Sequence, residues 1–433
     1  MNQASFPSTP LAAERSPWLR GPVRLPGDPL FSALALILAG MARGESVLEN
    51  LSRSPQTGAL AALLAELGVH VAERAGRWHV QGIGVASFLA PRQPLDMTQI
   101  GDAAPMLVGL LGAHDFATEF KGLAQTPDVL AMLDFLLRNG GLVEHEGNLI
   151  RVRAPRFGIP LDLALAETGQ GLVAPLLLHA LVTVGRSHLQ LPAGLHHASV
   201  DFLAAFGARI GLREDADTLQ VELEGLAPLR AQALEAPGDP HLAVYPAVAA
   251  AIAPDSEITI SSVALHPRGL ALLDALALLG ADVSIGETRR GSADIVVRHA
   301  SLTGTIIPAD LGVASEDFPI LTVAAAFASG ETLLDGLGEG VRRLALTRAL
   351  RANGVECIEQ PGGLLVRGRP RVPGGGNVLV RLDPKLAMAF LVLGMAADRA
   401  VTIENGAAMA ELFPDFVSAF EHVGASFSTG LAA

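Results

Sequence analysis

The chain has 433 residues, long enough for two domains of ordinary size. Half of them are apolar and 17% are charged, with a net charge of −13 and a mean hydropathy of +0.40. That charge, the lack of any Lys/Arg cluster and a supply of only two Trp and one Tyr for base stacking argue against nucleic acid and anionic membrane as partners.

Residues 1–17 are polar and punctuated by proline, and read as a frayed tail with no signal sequence. Next comes Leu25-Pro26-Gly27-Asp28-Pro29, a turn that runs into the apolar helical pattern Leu34, Leu36, Ile37, Leu38, Met41. Such a turn aims unpaired N–H groups and the positive end of a helix dipole at one point, which favours phosphate or carboxylate. An enzyme using it for an anionic substrate would add Lys or Arg for charge-assisted bonds. Here those places hold Pro, Leu and Ala.

A helical pattern closed by glycine and followed by a strand-like segment then occurs six times, at Gly68, Gly140, Gly207, Gly280, Gly354 and Gly424. One glycine stop means little, but six at intervals of 67–74 residues indicate a duplicated unit. The period is too long for a solenoid and suits a β-α-β-α-β-β unit, of which Glu257-Ile-Thr-Ile-Ser-Ser-Val263 and Ala400-Val-Thr-Ile-Glu404 supply strands. Three units per domain put a hinge at Ala233-Leu-Glu-Ala-Pro-Gly-Asp-Pro240. The longest apolar runs, 171–185 (interrupted by His179), 242–253 and 386–397, are shorter than the roughly 18–20 residues of a bilayer-spanning helix and read as buried core helices. His196-His197 reads as a loop pair, since adjacent side chains diverge and no further ligand spacing supports a metal. The single cysteine, Cys357, cannot form an internal disulfide, which fits a reducing cytoplasm.

In order and spacing, Leu25-Pro-Gly-Asp28, Leu95-Asp96…Gly101, Pro237-Gly-Asp239, Glu316-Asp-Phe-Pro-Ile-Leu-Thr-Val-Ala-Ala-Ala-Phe-Ala-Ser-Gly330, Asp383, Ala387-Met-Ala-Phe390 and Phe413-Pro-Asp-Phe416 resemble the enolpyruvyl transferase family, and within it the EPSP synthases. The resemblance runs from about residue 21 to 425. It implies a two-domain α/β fold, an inside-out α/β barrel of six β-α-β-α-β-β units, three per domain. The first domain would be 21–235 and the second 1–20 plus 236–433, with hinges near 20–24 and 233–240. The family joins phosphoenolpyruvate to shikimate 3-phosphate with release of phosphate, without metal or cofactor. The implied partner is therefore a small molecule in the cleft between domains, with a protein partner left open.

Residue by residue, the family's machinery is thinned. In its Pro-Gly-Asp-Lys-Ser-X-Ser-X-Arg pattern Asp28 and Ser32 remain, while Pro29, Leu30 and Leu34 stand for Lys, Ser and Arg. In Gly-Asn-X-Gly-Thr-X-X-Arg, Thr98 and Gln99 replace Gly-Asn, Asp102 replaces Thr and Pro105 replaces Arg. In Ser-X-Gln-X-Lys, Thr168 and Gln170 can serve, and Leu172 replaces Lys. His241 and Leu242 replace a small serine pair, and Glu316 and Asp317 take the places of the proton-transferring Asp and its neighbouring Glu. Arg342 and Arg348 survive from Arg-X-Lys-Glu-Ser-Asp-Arg, while Asp383 and Lys385 stand in His-Asp-His-Arg. The resemblance thus gives Glu316 and Asp317 as catalytic candidates and Asp28, Ser32, Thr168, Gln170, His241, Arg342, Arg348, Asp383 and Lys385 as substrate-binding candidates. Glu316-Asp317 could equally cap the helix that follows, and Lys385 could hold an anion or be a solvated helix-end lysine. Three readings stand: a non-catalytic homologue, an enzyme repurposed for a less anionic ligand, and a working enolpyruvyl transferase.

Overall fold

The computed structural model describes residues 9–155, 158–165, 167–192 and 198–429. The chain divides into two compact units, Gly27–Pro237 and a composite of the segment up to Pro26 with Gly238–Ala433. The sequence reading puts the first boundary at residue 21. It lies at Pro26/Gly27 because the strand Arg20–Val23 pairs in parallel with Glu257–Ala264 and so belongs to the composite unit.

Among the described residues, six α-helices lie in the Gly27–Pro237 unit: α1 (Pro29–Met41), α2 (Pro55–Glu66), α3 (Ala104–Leu111), α4 (Pro127–Arg138), α5 (Val173–Val182) and α6 (Ala198–Ala205). The composite unit holds α7 (Pro240–Ile252), α8 (Pro267–Leu278), α9 (Phe318–Phe327), α10 (Val341–Ala352), α11 (Pro384–Ala396) and α12 (Phe416–His422). Helices α1, α3 and α5 are apolar on nearly every side and buried, as are α7, α9 and α11, so periodicity alone cannot say which face points inward. Proline in the first turn of α1, α3, α7, α9 and α11 fixes φ where no N–H is needed. Helices α3 and α5 meet backbone to backbone: a Cβ on Gly109 would lie 2.6 Å from the Pro175 carbonyl oxygen.

The described strands form six sheets on one plan: in five of them one outer strand runs parallel to its neighbour and the other pairings are antiparallel, and in the sixth two short strands, Leu229–Arg230 and Ala233–Glu235, both run parallel to Ala42–Glu49. In the composite unit these are, for example, Asn377–Val378, Val401–Ile403, Leu11–Glu14 and Ser426–Thr429 in that order. The six glycines that close the repeated motif all adopt positive φ, from +75° to +107°.

The tail is not frayed along its whole length. Leu11–Glu14 is an inner strand, paired antiparallel with both Val401–Ile403 and Ser426–Thr429, and Ala12 and Ala13 are buried. Its partners lie almost 400 residues away in sequence, so local polarity gave no sign of it. His196-His197 falls outside the described residues. No helix among the described residues is long and apolar enough to cross a membrane.

Candidate functional site

Helices α7, α9 and α11 pack against one another in the composite unit. Their first turns carry Asp239-Pro240-His241, Glu316-Asp317-Phe318-Pro319 and Asp383-Pro384-Lys385. Asp239 and Asp383 act as N-caps. Asp239 accepts the His241 N–H at 2.8 Å, and one Asp383 oxygen accepts the N–H groups of Lys385 and Leu386 at 3.1 and 3.2 Å. The other Asp383 oxygen accepts the Arg342 Nε–H at 2.9 Å.

Asp317 behaves differently. It is only 1% exposed, caps nothing with its side chain, and reaches across to both neighbouring helices. One of its oxygens accepts from His241 Nδ1 at 2.9 Å and the other from Lys385 Nζ at 2.5 Å. The capping alternative raised for Glu316-Asp317 therefore does not describe the Asp317 side chain, which is instead the centre of a His–Asp–Lys cluster. Glu316 stands at its rim, 44% exposed and 3.9 Å from the Lys385 ammonium. Below it the fully buried Tyr245, one turn along α7 from His241, donates to the Lys385 carbonyl at 3.4 Å.

The electrostatics follow from this packing. Burial opposes the charged form of Asp317, but the His241 hydrogen bond and the Lys385 charge outweigh it and hold the carboxyl below its ordinary range. Burial likewise opposes the imidazolium of His241, yet the hydrogen bond to Asp317 and the Asp239 and Asp317 charges raise its pKa. Burial, with those carboxylates and Asp383 around it, pushes the Tyr245 phenol well up, so it acts as a donor only. His241 Nδ1 is occupied by Asp317, and the imidazole side chain stays 25% exposed beside the His266 ring, whose centroid is 5.9 Å away. The cluster can thus hold a proton at Nε2 and hand it to, or accept it from, a small molecule.

Of the sequence candidates, the structure brings together His241, Glu316, Asp317, Arg342, Asp383 and Lys385. Arg348 is exposed further along α10 and is not brought to the cluster. The Thr168 and Gln170 side chains lie outside what is described. Asp28 and Ser32 belong to the other unit and are buried in structural bonds. Asp28 caps α1 by accepting the Phe31 N–H at 2.8 Å. The Ser32 hydroxyl donates to the Asp28 carbonyl at 2.7 Å and accepts the Ser52 N–H at 2.8 Å. Ser32→Ala leaves that buried N–H unsatisfied and is expected to lower unfolding stability by about 1–3 kcal/mol in urea titrations. Beside them Pro29 and Leu30 line a small crevice with Gln56, Thr57 and Asp102. Cys357 is buried, and burial pushes its thiol pKa up, which does not suit a nucleophile.

Sequence reasoning missed Tyr245 and the capping role of Asp239. The available signal was that the only Tyr of the chain stands four residues after His241, on the same face of one helix.

The family model for EPSP synthase (3-phosphoshikimate 1-carboxyvinyltransferase) matches residues 14–420. The chain is 34% identical to the 3-phosphoshikimate 1-carboxyvinyltransferase of Rhodospirillum rubrum, covering 98% of this chain and 99% of that protein. It is 33% identical to the protein of the same name from Chelativorans sp., over 97% and 98% of the two chains. Among solved structures it is similar to EPSP synthase from Acinetobacter baumannii, with a TM-score of 0.79 at 22% identity, covering 97% of this chain and all of that one. The enolpyruvyl transferase NikO from Streptomyces tendae gives a TM-score of 0.72 at 21% identity over 99% of this chain and all of that one.

Proposed function

The chain belongs to the EPSP synthase family, and we propose that within it this member does not efficiently transfer enolpyruvyl to shikimate 3-phosphate, but uses the His241–Asp317–Lys385 cluster for a neutral or singly charged ligand. The charge balance of the cluster carries this reading. Four carboxylates (Asp239, Glu316, Asp317, Asp383) stand against three cations (Arg342, Lys385 and a protonated His241), which sums to −1. Three helix N-termini add about half a positive charge each, so the site is close to neutral. Each cation is already paired with a carboxylate of the same cluster. Polyanions such as phosphoenolpyruvate and shikimate 3-phosphate would have to compete with those carboxylates for the charge of each cation, Lys385 and His241 above all. Pro29, Leu34, Pro105 and Leu172, at positions where the family pattern has cations, support the same conclusion.

Losing two charge-assisted bonds at about 1.5–3 kcal/mol each corresponds to roughly a thousandfold in transition-state binding. Phosphate release from phosphoenolpyruvate plus shikimate 3-phosphate, assayed beside the Rhodospirillum rubrum relative, is accordingly expected roughly a thousandfold lower in kcat/KM. Turnover within tenfold of that relative overturns the reading. It would establish the second one, an active 3-phosphoshikimate 1-carboxyvinyltransferase, which the full-length identity of 34% favours.

A further inference from the structure

The first turns of α7, α9 and α11 meet at one junction, and each helix N-terminus adds about half a positive charge there. Two further donors are aimed at the same point, His241 from α7 and Lys385 from α11. What they hold is a carboxylate of the chain itself. Asp317 presents one oxygen to His241 Nδ1 at 2.9 Å and the other to Lys385 Nζ at 2.5 Å, so it is gripped at both oxygens as a bound anion would be. Neither oxygen caps α9, the helix that Asp317 begins, whereas Asp239 and Asp383 do cap their own helices. Without the Asp317 charge, Arg342, Lys385 and a protonated His241 would balance Asp239, Glu316 and Asp383, and the three helix ends would leave the junction positive.

We propose that Asp317 is the specificity-determining residue of this junction: its tethered carboxylate fills a carboxylate-binding place between His241 and Lys385, and so keeps free carboxylates out of it. The inference rests on the reading that the site serves a less anionic ligand, and it names the residue that sets the preference. A carboxylate attached to the chain loses no translational freedom on binding, so a free one competes with it at a disadvantage. The place is small, since Asp317 is 1% exposed, and it is reached from the rim, where the Lys385 and His241 side chains keep 16% and 25% of their surface. Cutting Asp317 back to alanine removes one carboxylate group, the size of a formate ion, and leaves both donors facing the gap.

The test is urea unfolding of the full chain at pH 6 in sodium formate against sodium chloride of equal concentration. Every chain compared carries Glu316→Gln, so that Glu316, 3.9 Å from Lys385, does not take the vacated place. The midpoint of Asp317→Ala is expected to rise with formate, while the parent that keeps Asp317 responds equally to the two salts. At a dissociation constant of about 1 mM, about 0.1 M formate is a hundredfold excess and restores most of the gap to the parent. Formamide, of the same shape without the charge, should leave Asp317→Ala unchanged, and adding Lys385→Met should abolish the formate response. If Asp317→Ala does not fold in chloride, the folded fraction recovered in formate is the readout. A formate response no larger in Asp317→Ala than in the parent, one that formamide reproduces, or one that survives Lys385→Met overturns the proposal. The phosphate-release assay on the wild type reports separately: turnover together with formate rescue of the variant would sink the functional reading alone, and neither turnover nor rescue would sink this inference alone.

Discussion

Asp317→Ala is expected to lower the stability of the composite unit by about 3 kcal/mol at neutral pH, the low end for stripping one partner from a buried ion pair. The low end applies because the His241 and Lys385 side chains retain 25% and 16% of their surface. The loss arises because a carboxylate that is 1% exposed neutralises two cations at once, and its removal leaves both facing a partly dry helix junction. It should also depend on pH. The pKa of His241 is raised in the folded chain, so its contribution is fully present below the unfolded value of 6.5 and disappears as pH rises through the folded one. The Lys385 share persists, so the difference between wild type and variant should shrink in alkaline solution without vanishing. Urea unfolding followed by two probes checks this, because the two units need not melt together. A loss below about 1 kcal/mol would mean that both cations rehydrate freely and that the cluster is a surface feature.

The second large effect belongs to the Gly27–Pro237 unit and is expected in acid. His179 on α5 is buried, donates from Nδ1 to the Gly109 carbonyl of α3 at 3.0 Å, and meets the Phe135 ring edge-on. Burial lowers its pKa from 6.5 to about 4. The unfolded chain therefore takes up a proton first, and stability falls as pH drops from 6.5 towards 4, levelling off below that. A shift of this size corresponds to about 3 kcal/mol at 1.36 kcal/mol per pKa unit. Buried His114 on the segment after α3 shifts in the same direction, again through burial, and its Nε2 has no partner. His179→Gln removes the titrating group, so its unfolding midpoint should depend much less on pH between 7 and 4.5 than that of the wild type. An equal dependence in the two proteins would mean that His179 is hydrated and ordinary.

Features fixed by short-range sterics were legible in the sequence. The six repeat-closing glycines all take positive φ because a helix stop there needs a residue without a Cβ, a requirement visible in one turn of chain. The start of α1 was legible as a turn running into an apolar helical pattern, whereas Asp239-Pro240 read only as part of a hinge. Less of the site could be read. Glu316 and Asp317 are neighbours of similar chemistry, and only the packing of α9 between α7 and α11 decides that Asp317 turns inward while Glu316 stays at the rim. His241 stood out as a residue to watch, but its partner lies 76 residues on and carries no local mark. Ser32 read as a ligand residue because the pattern around it suits one, whereas its hydroxyl is spent on Asp28 and Ser52.

The pairing of Leu11–Glu14 with strands beyond residue 400 has a consequence for synthesis on the ribosome. The Gly27–Pro237 unit contains every strand of its own three sheets and can fold once Pro237 has emerged. Leu11–Glu14 must wait for most of the 196 residues that follow (433−237), roughly 10–40 s at common translation rates. Throughout that interval Ala12 and Ala13 lie on an unpaired strand ahead of a completed unit, an opening for chaperones to cover and for neighbouring nascent chains to pair with.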